Sequence, residues 1–272
     1  MSDNLSLSFR IIIVVLAGFS SCSAAAQEAE DADELARKIS NPAAFMISVP
    51  IHADLDLGDA AHDTVERYLL DIEPVIPFRL SQNWNMISHT DFPLAYSNPA
   101  GPGGGTFGLG DINQTLSFTP AKHGGLVWAL GARASIPTAT SKILGTGKLA
   151  VGPSLLLLRQ TKSLTMGVSA DHLWSIAGKS DRADISSTEV QPFLAWHIGG
   201  GRTISSNLDV SYDWEGDQWE VPLNVSFSKV TKVGRQMMSL SIGGKYWFEA
   251  PTDQPEWGIT IGAVLLFPQG TR

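Results

Sequence analysis

The chain has 272 residues, with 27 acidic against 19 basic side chains and a formal net charge of −8 at pH 7. An acidic balance argues against a nucleic-acid partner, because phosphates are bound by clustered lysine and arginine. Charged residues make up 17% of the chain, a low share against the roughly 25% of typical soluble domains. No apolar run reaches the ~20 residues of a transmembrane helix. An outer-membrane barrel or a secreted β-protein fits this composition.

The N-terminus has the organisation of a secretory signal peptide over residues 1–26. Arg10 precedes the apolar run IIIVVLAGF, which is too short to span a bilayer, and the small residues 24–26 suit cleavage. We expect a mature chain that begins near Gln27. Two alternatives stay open: an uncleaved membrane anchor, and lipidation of Cys22. Cys22 is the only cysteine, so no disulfide can form within the chain.

One helix is predicted, within the N-terminal segment 27–42. Ala32, Leu35, Ala36 and Ile39 recur at helical spacing, and Pro42 ends the run. This segment could enter a barrel as a plug or lie in the periplasm as an appendage.

Beyond this segment the hydrophobic period changes from that of a helix to two, which indicates strands. In TISSNLDVSYDWE, for example, apolar residues from Ile204 to Trp214 alternate with polar residues. The predicted strands are 44–57, 66–80, 84–96, 109–119, 125–137, 148–160, 164–176, 187–198, 203–214, 219–230, 237–248 and 257–267.

The connections distinguish a barrel from a soluble sandwich. Short turns such as 81–83 and 160–163 alternate with longer loops such as 97–108 and 138–147, as in outer-membrane barrels. We therefore predict an all-β fold over residues 43–268: a transmembrane, antiparallel, up-and-down β-barrel of about 12 strands. Prolines inside predicted strands must then be bulges or places where a strand leaves the bilayer. They are Pro50, Pro74, Pro77, Pro93, Pro137, Pro153, Pro192 and Pro222.

Tryptophans mark the predicted interfaces with lipid. The stretch DWEGDQW is predicted to be a tight outer hairpin, in which Trp214 and Trp219 anchor the chain at the headgroup level. Trp257, at the start of the last strand, is the third predicted anchor.

The alternation also predicts which charged side chains face the lumen. With Asp56 and Glu249 included, ten acids accompany three bases. Most such groups are structural in small barrels, whose interiors are filled by side chains. The predicted lumen-lining residues are Asp54, Asp71, Glu73, Arg79, Arg133, Asp171, Glu189, Asp209, Asp213, Glu220 and Lys245.

No catalytic, cofactor or metal site is predicted. The glycine-rich stretch 101–111 lacks the Lys-Ser/Thr of a phosphate-binding loop. The six histidines show no metal-ligand spacing. His172 falls on the strand face opposite Ser169 and Asp171, so these residues cannot form a hydrolytic triad without a bulge.

The last strand carries an assembly signal. In TIGAVLLF, Gly262 is followed by Leu265 and Phe267 near the chain end. This pattern resembles the signal by which the barrel assembly machinery of the outer membrane selects its clients, and it predicts that machinery as a partner.

Several phrases resemble a family of bacterial outer-membrane proteins. They are ELARKISNPAAFMISVPI at 34–51, IEPVIPFRLSQNWNMISHT at 72–90, GLGDI at 108–112, IPTAT at 136–140, YDWEGDQWEVPLNVSFSKVTKVG at 212–234 and KYWFEAP at 245–251. The family is labelled "neuromedin U" and is similar to the outer-membrane proteins of the meta-pathway of phenol degradation. The resemblance implies a Gram-negative outer-membrane barrel with a transport role, and it implies no catalytic or ligand-binding residue.

These observations predict a passive outer-membrane channel for small molecules, with hydrophobic or aromatic solutes as candidates. The alternatives are a sealed structural or interaction barrel and, less favoured, a barrel-embedded hydrolase. We expect outer-membrane lipid as a partner and an unidentified small solute.

Overall fold

The computed structural model describes residues 31–60, 63–98, 105–251 and 255–267. The predicted signal peptide, with Cys22, and the start of the N-terminal segment lie outside the described residues. Sixteen strand segments occur within these ranges, and paired neighbours are antiparallel. They are β1 (Ile47–Ala60), β2 (Asp63–Ile72), β3 (Val75–Arg79), β4 (Trp84–Asn98), β5 (Thr106–Leu109), β6 (Ile112–Pro120), β7 (Val127–Ile136), β8 (Lys148–Gln160), β9 (Leu164–Gly178), β10 (Ser186–Gly199), β11 (Arg202–Leu208), β12 (Val210–Asp213), β13 (Gln218–Glu220), β14 (Pro222–Val233), β15 (Gln236–Trp247) and β16 (Trp257–Phe267).

The sixteen segments of the described chain form twelve barrel strands. Four barrel strands are each divided into two segments, with interruptions at 73–74, 110–111, Asp209 and Val221. The first and last strands pair from Ile47 opposite Phe267 to Leu57 opposite Trp257, which closes the sheet. The predicted all-β, up-and-down barrel of about 12 strands is therefore confirmed.

Some of the prolines inside predicted strands lie at or next to strand interruptions or strand ends. Pro74 and Pro222 lie at interruptions, and Pro137 follows the end of β7. Five others stay inside continuous segments without a register shift, so the expectation of a bulge is wrong for Pro50, Pro77, Pro93, Pro153 and Pro192. That strands leave the bilayer at such positions stays a prediction.

Pro50 and Pro93 show how the pairing tolerates a missing N–H. Each lies beside an interruption of the neighbouring strand, and its carbonyl still accepts a backbone hydrogen bond there. Glu73 N donates to Pro50 O at 2.9 Å, and Gly110 N donates to Pro93 O at 2.8 Å. The neighbouring strand is interrupted at the point where proline has no N–H to donate. The missing hydrogen bond of the proline therefore coincides with a break in its neighbour.

The two faces of each strand differ as the alternation requires. On β15, for example, Leu240 and Ile242 are exposed, whereas Ser239 and Trp247 on the opposite face are buried. The exposed aliphatic and aromatic side chains form the outer surface of the barrel, where they would meet hydrocarbon. No helix in the described ranges has both the length and the apolarity needed to cross a membrane.

The barrel has two unlike ends. We call the "short-turn end" the one formed by the turns at 80–83, 121–126, 161–163, 200–201 and 234–235, and the opposite one the "long-loop end". The long-loop end also carries the four-residue turn 214–217, a tight hairpin as predicted. β1 extends to Ala60 and β2 begins at Asp63, so both strands reach further than predicted.

The described part of the N-terminal segment enters the short-turn end. Residues 31–39 form a helix, α1. Leu35 and Ala36 are buried against Val230, Val264 and Leu266, and Ala32 and Ile39 pack at the edge of the same cluster. Two polar contacts fasten the helix: Gly201 N donates to Asp33 Oδ1 at 2.6 Å, and Gln160 Nε2 donates to Arg37 O at 2.8 Å.

The outer face can be tested by charge insertion at two heights. Ile242 and Ile176 are 58% and 62% exposed, but Ile242 lies at the middle of β15 and Ile176 lies near the long-loop end of β9. Ile242→Arg should destabilise the barrel in bilayers by about 2–4 kcal/mol, and Ile176→Arg by about 0–1 kcal/mol. Equal losses in urea unfolding from lipid vesicles would contradict this placement of the bilayer.

Orientation can be tested with epitope tags in whole cells. In outer-membrane barrels the longer loops face the exterior, so a tag after Ser180 should bind antibody on intact cells. A tag after Gly234, in a turn where a side chain would have open space, should bind only after the outer membrane is permeabilised. The opposite pattern would invert the topology.

Candidate functional site in the barrel interior

The interior holds a cavity of about 640 Å³. Its floor is the N-terminal segment, which contributes Lys38 and Asn41, together with Met46 just beyond it, and its walls come from β1–β4, β6–β10 and β16. Because the cavity lies inside the closed sheet, its lining decides what could occupy or cross the lumen.

Charged and histidine side chains of the inner face lie in and beside this cavity. We call this group the charged belt; it consists of Asp54, Asp71, Glu73, His52, His89, Asp91, Arg133, Asp171, Glu189, Asp209 and Lys245. Eight of them line the cavity, and His52, Asp54 and Lys245 lie beside it. Neighbouring members lie opposite each other in the ladder, as His52 with Asp71 and Asp171 with Glu189. Among the described residues that line the cavity itself, six carboxylates face two bases, Lys38 and Arg133.

Arg133 is the centre of one part of the belt. Its Nη1 lies 3.0 Å from both Asp171 oxygens and 2.7 Å from Glu189 Oε2. To reach them the side chain passes β8 at Gly152, its ladder partner, which presents no side chain. One guanidinium therefore joins β7 to β9 and β10 along the cavity wall.

Glu73 is the centre of a second part. Its Oε1 lies 3.3 Å from His52 Nδ1, and its Oε2 lies 3.1 Å from His89 Nε2. Glu73 sits in the interruption between β2 and β3, while the two histidines come from the flanking strands β1 and β4. The carboxylate thus bridges two imidazoles across the break.

A third part lies toward the long-loop end. Lys245 Nζ is 2.6 Å from Asp54 Oδ2 and 3.7 Å from Asp56 Oδ1. Asp56 is fully buried, and its Oδ2 accepts from Arg67 Nε and Nη2 at 3.1 and 3.0 Å. These ion pairs cross-link β1, β2 and β15 on the inner face.

Asp209 is held by amides instead of by a cation. Gln191 Nε2 and Asn207 Nδ2 donate to its Oδ1, and Asn224 Nδ2 donates to its Oδ2 at 2.8 Å. Like Glu73, it occupies a strand interruption. Hydrogen bonds hold this carboxylate while leaving its negative charge unbalanced by any of these partners.

Apart from Asp56, four predicted lumen residues lie outside both the cavity lining and the charged belt. Arg79 is exposed at the short-turn end, where its guanidinium lies 5.1 Å from the ring centre of Phe45. Asp213 is exposed at the opposite rim, where its Oδ1 accepts from Glu215 N at 3.0 Å. Glu220 accepts from Trp247 Nε1 at 3.0 Å. Glu249 lies beyond β15 and is exposed.

The predicted anchors lie on the outer face at the long-loop end. Trp214, Trp219 and Trp257 are exposed by 59%, 49% and 46%. Trp214 and Trp219 both contact Tyr212, with ring centres 4.8 and 4.5 Å from it. The carboxylates of the DWEGDQW stretch therefore lie in or beside a turn between aromatic anchors, and Asp217 has the positive φ of 52° that the turn requires.

The residues of the predicted assembly signal divide between the two faces of β16. Phe267 is exposed on the outside, and Leu265 is half-buried on the same face. Gly262 is buried on the inside, where a Cβ would lie 2.7 Å from His52 Cδ2. Recognition by the assembly machinery stays a prediction.

Sequence analysis missed the two histidines and Asp91. All three share the inward parity of predicted lumen residues: His52 precedes Asp54 by two positions, and Asp91 follows His89 by two. The signal was therefore present, but the prediction considered histidines only for metal-ligand spacing and not for their strand face.

The cavity walls nearer the short-turn end are apolar. We call this surface the apolar lower wall; it includes Val75, Ile87, Leu156, Phe193 and Val264. Ile87 belongs to a buried cluster with Ala43, Val127 and Leu158. The lumen thus has two tiers, and the N-terminal segment covers the apolar one.

In the part of the chain that the structure describes, the residues considered in the sequence for metal binding or for a hydrolytic triad do not come together. Among the residues described, no group of three or more His, Cys, Asp or Glu side chains could hold a metal ion. His172 lies on the outer face, with its Nδ1 2.7 Å from Thr188 Oγ1. Asp171 faces the lumen instead.

The fold is shared with solved outer-membrane channels. The COG4313 outer membrane channel from Pseudomonas putida F1 superimposes with a TM-score of 0.65 at 12% identity, over 82% of this chain and 95% of that one. The NanC porin gives 0.55 at 9% identity, over 81% and 100%. No protein-family model and no curated protein matches. The chain therefore has the fold of outer-membrane channels and porins, which agrees with the predicted outer-membrane location.

The belt ion pairs can be tested through stability. Side chains around Arg133 are 13–36% exposed, so Arg133→Gln should cost about 1–3 kcal/mol, between surface and buried ion pairs. Lys142→Gln is the control: its pair with Asp181 is 70% and 63% exposed and should contribute about 0–1 kcal/mol. Urea unfolding in lipid vesicles measures both, and equal small losses would mean that the Arg133 pairs contribute no more than a surface pair.

Proposed function

We propose that the protein is a passive outer-membrane channel for small molecules. The observation that carries the proposal is the cavity of about 640 Å³ inside a closed barrel, ringed by charge and covered at one end by the N-terminal segment. A barrel that served only as a scaffold would have no need of such a space, because small barrels can be filled by side chains. Similarity in fold to a channel and a porin supports the same class.

The lining favours small cationic or amphipathic solutes. Six carboxylates against two bases line the cavity, and such an excess focuses a negative potential that attracts cations. The apolar lower wall gives an apolar or aromatic group a surface to contact. An aromatic solute also agrees with the resemblance to proteins of the phenol meta-pathway, although no family model supports that label.

A sealed barrel is the second candidate, and the packing of α1 favours it. Leu35 and Ala36 are 8% and 4% exposed. Asp33 accepts a hydrogen bond from the turn at Gly201, and the carbonyl of Arg37 accepts one from Gln160 at the end of β8. We infer that α1 is the plug: with it seated the barrel conducts little, and with it displaced the lumen opens.

Conductance in planar bilayers tests this proposal. The double variant Leu35→Glu/Ala36→Glu should conduct better than the unchanged mature chain, because two carboxylates cannot remain in the apolar lower tier. Its current should favour potassium over chloride by about tenfold, and the preference should weaken as salt rises. The control is Asp31→Asn, at an exposed helix position, which should leave conductance unchanged.

Two outcomes would contradict this account. Chloride preference would overturn the inference from the carboxylate excess. Absence of current from every variant, with correctly folded protein, would favour the sealed barrel.

A further inference from the structure

The unit of His52, Glu73 and His89 contains the two histidines of the charged belt. Both histidines face the lumen, and each approaches a different oxygen of the same carboxylate. Histidine ordinarily titrates near pH 6.5, whereas carboxylates, lysine and arginine ordinarily titrate far from neutrality.

The backbone fixes this unit in place. Glu73 N donates to Pro50 O at 2.9 Å, and Thr90 N, next to His89, donates to Pro74 O at 3.2 Å. On the other side of β1, Gly262 leaves the space that the His52 ring occupies, since a Cβ there would come within 2.7 Å of it. The strands that carry the two histidines are therefore held in register with the interruption that carries Glu73.

The surrounding charges come from every neighbouring element. β1 contributes Asp54, β2 contributes Asp71, and β4 contributes Asp91, while Arg133 on β7 and Lys38 on α1 face the same cavity. The partners from β6 are neutral: Thr115 lies opposite His89, and Asn113 Nδ2 donates to Asp91 Oδ2 at 3.2 Å. On β16 the inward residues are Gly262 and Thr260, which carry no charge.

We propose that His52 and His89 determine the ion selectivity of the channel and make it depend on pH. With both imidazoles neutral, the unit carries the single negative charge of Glu73 and adds to the carboxylate excess. With both protonated, it carries one net positive charge. Protonation of both imidazoles therefore adds two positive charges to the lumen, so the preference for cations is weaker at pH 5 than at pH 8.

This proposal rests on the proposed channel function and adds its specificity-determining residues. A merely structural role for the histidines, as partners that hold Glu73, would affect stability but would not shift ion selectivity with pH. Selectivity is therefore the property to measure.

Reversal potentials across a potassium chloride gradient test it, with the full mature chain carrying Leu35→Glu/Ala36→Glu as the conducting background. From pH 8 to pH 5 the permeability ratio of potassium to chloride should fall by about fourfold or more, as Coulomb's law gives for two charges roughly 10 Å from the permeating ion in water. His52→Gln/His89→Gln should remove most of this change. His123→Gln, in an exposed short turn, is the control and should retain it.

Glu73→Gln provides a second variant in case the double histidine variant folds poorly. It should lower the permeability ratio at pH 8, because one negative charge is lost, and it should leave a further decrease at pH 5.

Each remaining outcome overturns the proposal. An unchanged pH dependence in His52→Gln/His89→Gln would assign the effect to carboxylates. Current without any pH dependence would leave the channel function standing and remove the role of the histidines. No current from any folded variant would overturn the channel function, and the selectivity proposal with it.

Discussion

The structure depends on one constraint: inside a bilayer each backbone N–H and C=O must find a partner within the protein. Closure of β1 onto β16 meets that requirement at the seam, where eleven residue pairs run from Ile47–Phe267 to Leu57–Trp257. Closure then forces alternation. Every second side chain must be acceptable to lipid, and the others must be accommodated in a lumen of limited width.

The interruptions are where this constraint is relaxed, and they coincide with charge. Glu73 and Asp209 occupy two of the four breaks, and the backbone near each is still satisfied: Glu73 N bonds to Pro50 O, and Asp209 N bonds to Pro222 O at 2.9 Å. A carboxylate at a break is not tied to the strict alternation of a strand. It can turn toward partners on both flanking strands, as Glu73 does with His52 and His89.

The third break carries a carboxylate with a different role. Asp111 is buried, and its oxygens accept from Ala139 N, Thr146 N and Thr146 Oγ1. It therefore holds the 137–147 loop against the barrel. Carboxylates at these interruptions thus line the lumen in two cases and hold a loop at the rim in a third. Which of these occurs depends on where along the barrel axis the interruption lies.

Sequence reasoning succeeded where one face of a strand meets lipid. The alternation of Leu240 and Ile242 with Ser239 and Ser241 leaves one possible orientation for β15, and the turn between Trp214 and Trp219 is similarly determined. It did less well at strand ends. Asp213 and Arg79 are at positions that alternate inward, but they lie at the rims. Alternation along a strand predicts which face a side chain is on and does not predict its position along the barrel axis.

The belt partners could not be predicted because they depend on neighbours distant in sequence. Arg133 meets Glu189 across two intervening strands, β8 and β9, and Lys245 meets Asp54 only because the barrel closes between β16 and β1. Neither pair has a spacing signal along the chain. The helix stripe of Ala32, Leu35, Ala36 and Ile39 indicated a buried face, but not that the buried surface would be the inside of the barrel.

The two-tier lumen explains why α1 occupies the short-turn end. Inward residues there, such as Val230, Val264 and Leu266, are apolar, and without a cover they would line water. An apolar stripe on a helix is the complementary surface, and its burial is favourable by roughly 25 cal/mol per Å². Above it, the charged belt offers such a helix nothing to bury. The boundary between the apolar surface and the charged belt therefore limits how far α1 can enter the barrel. The cavity between α1 and the charged belt stays open.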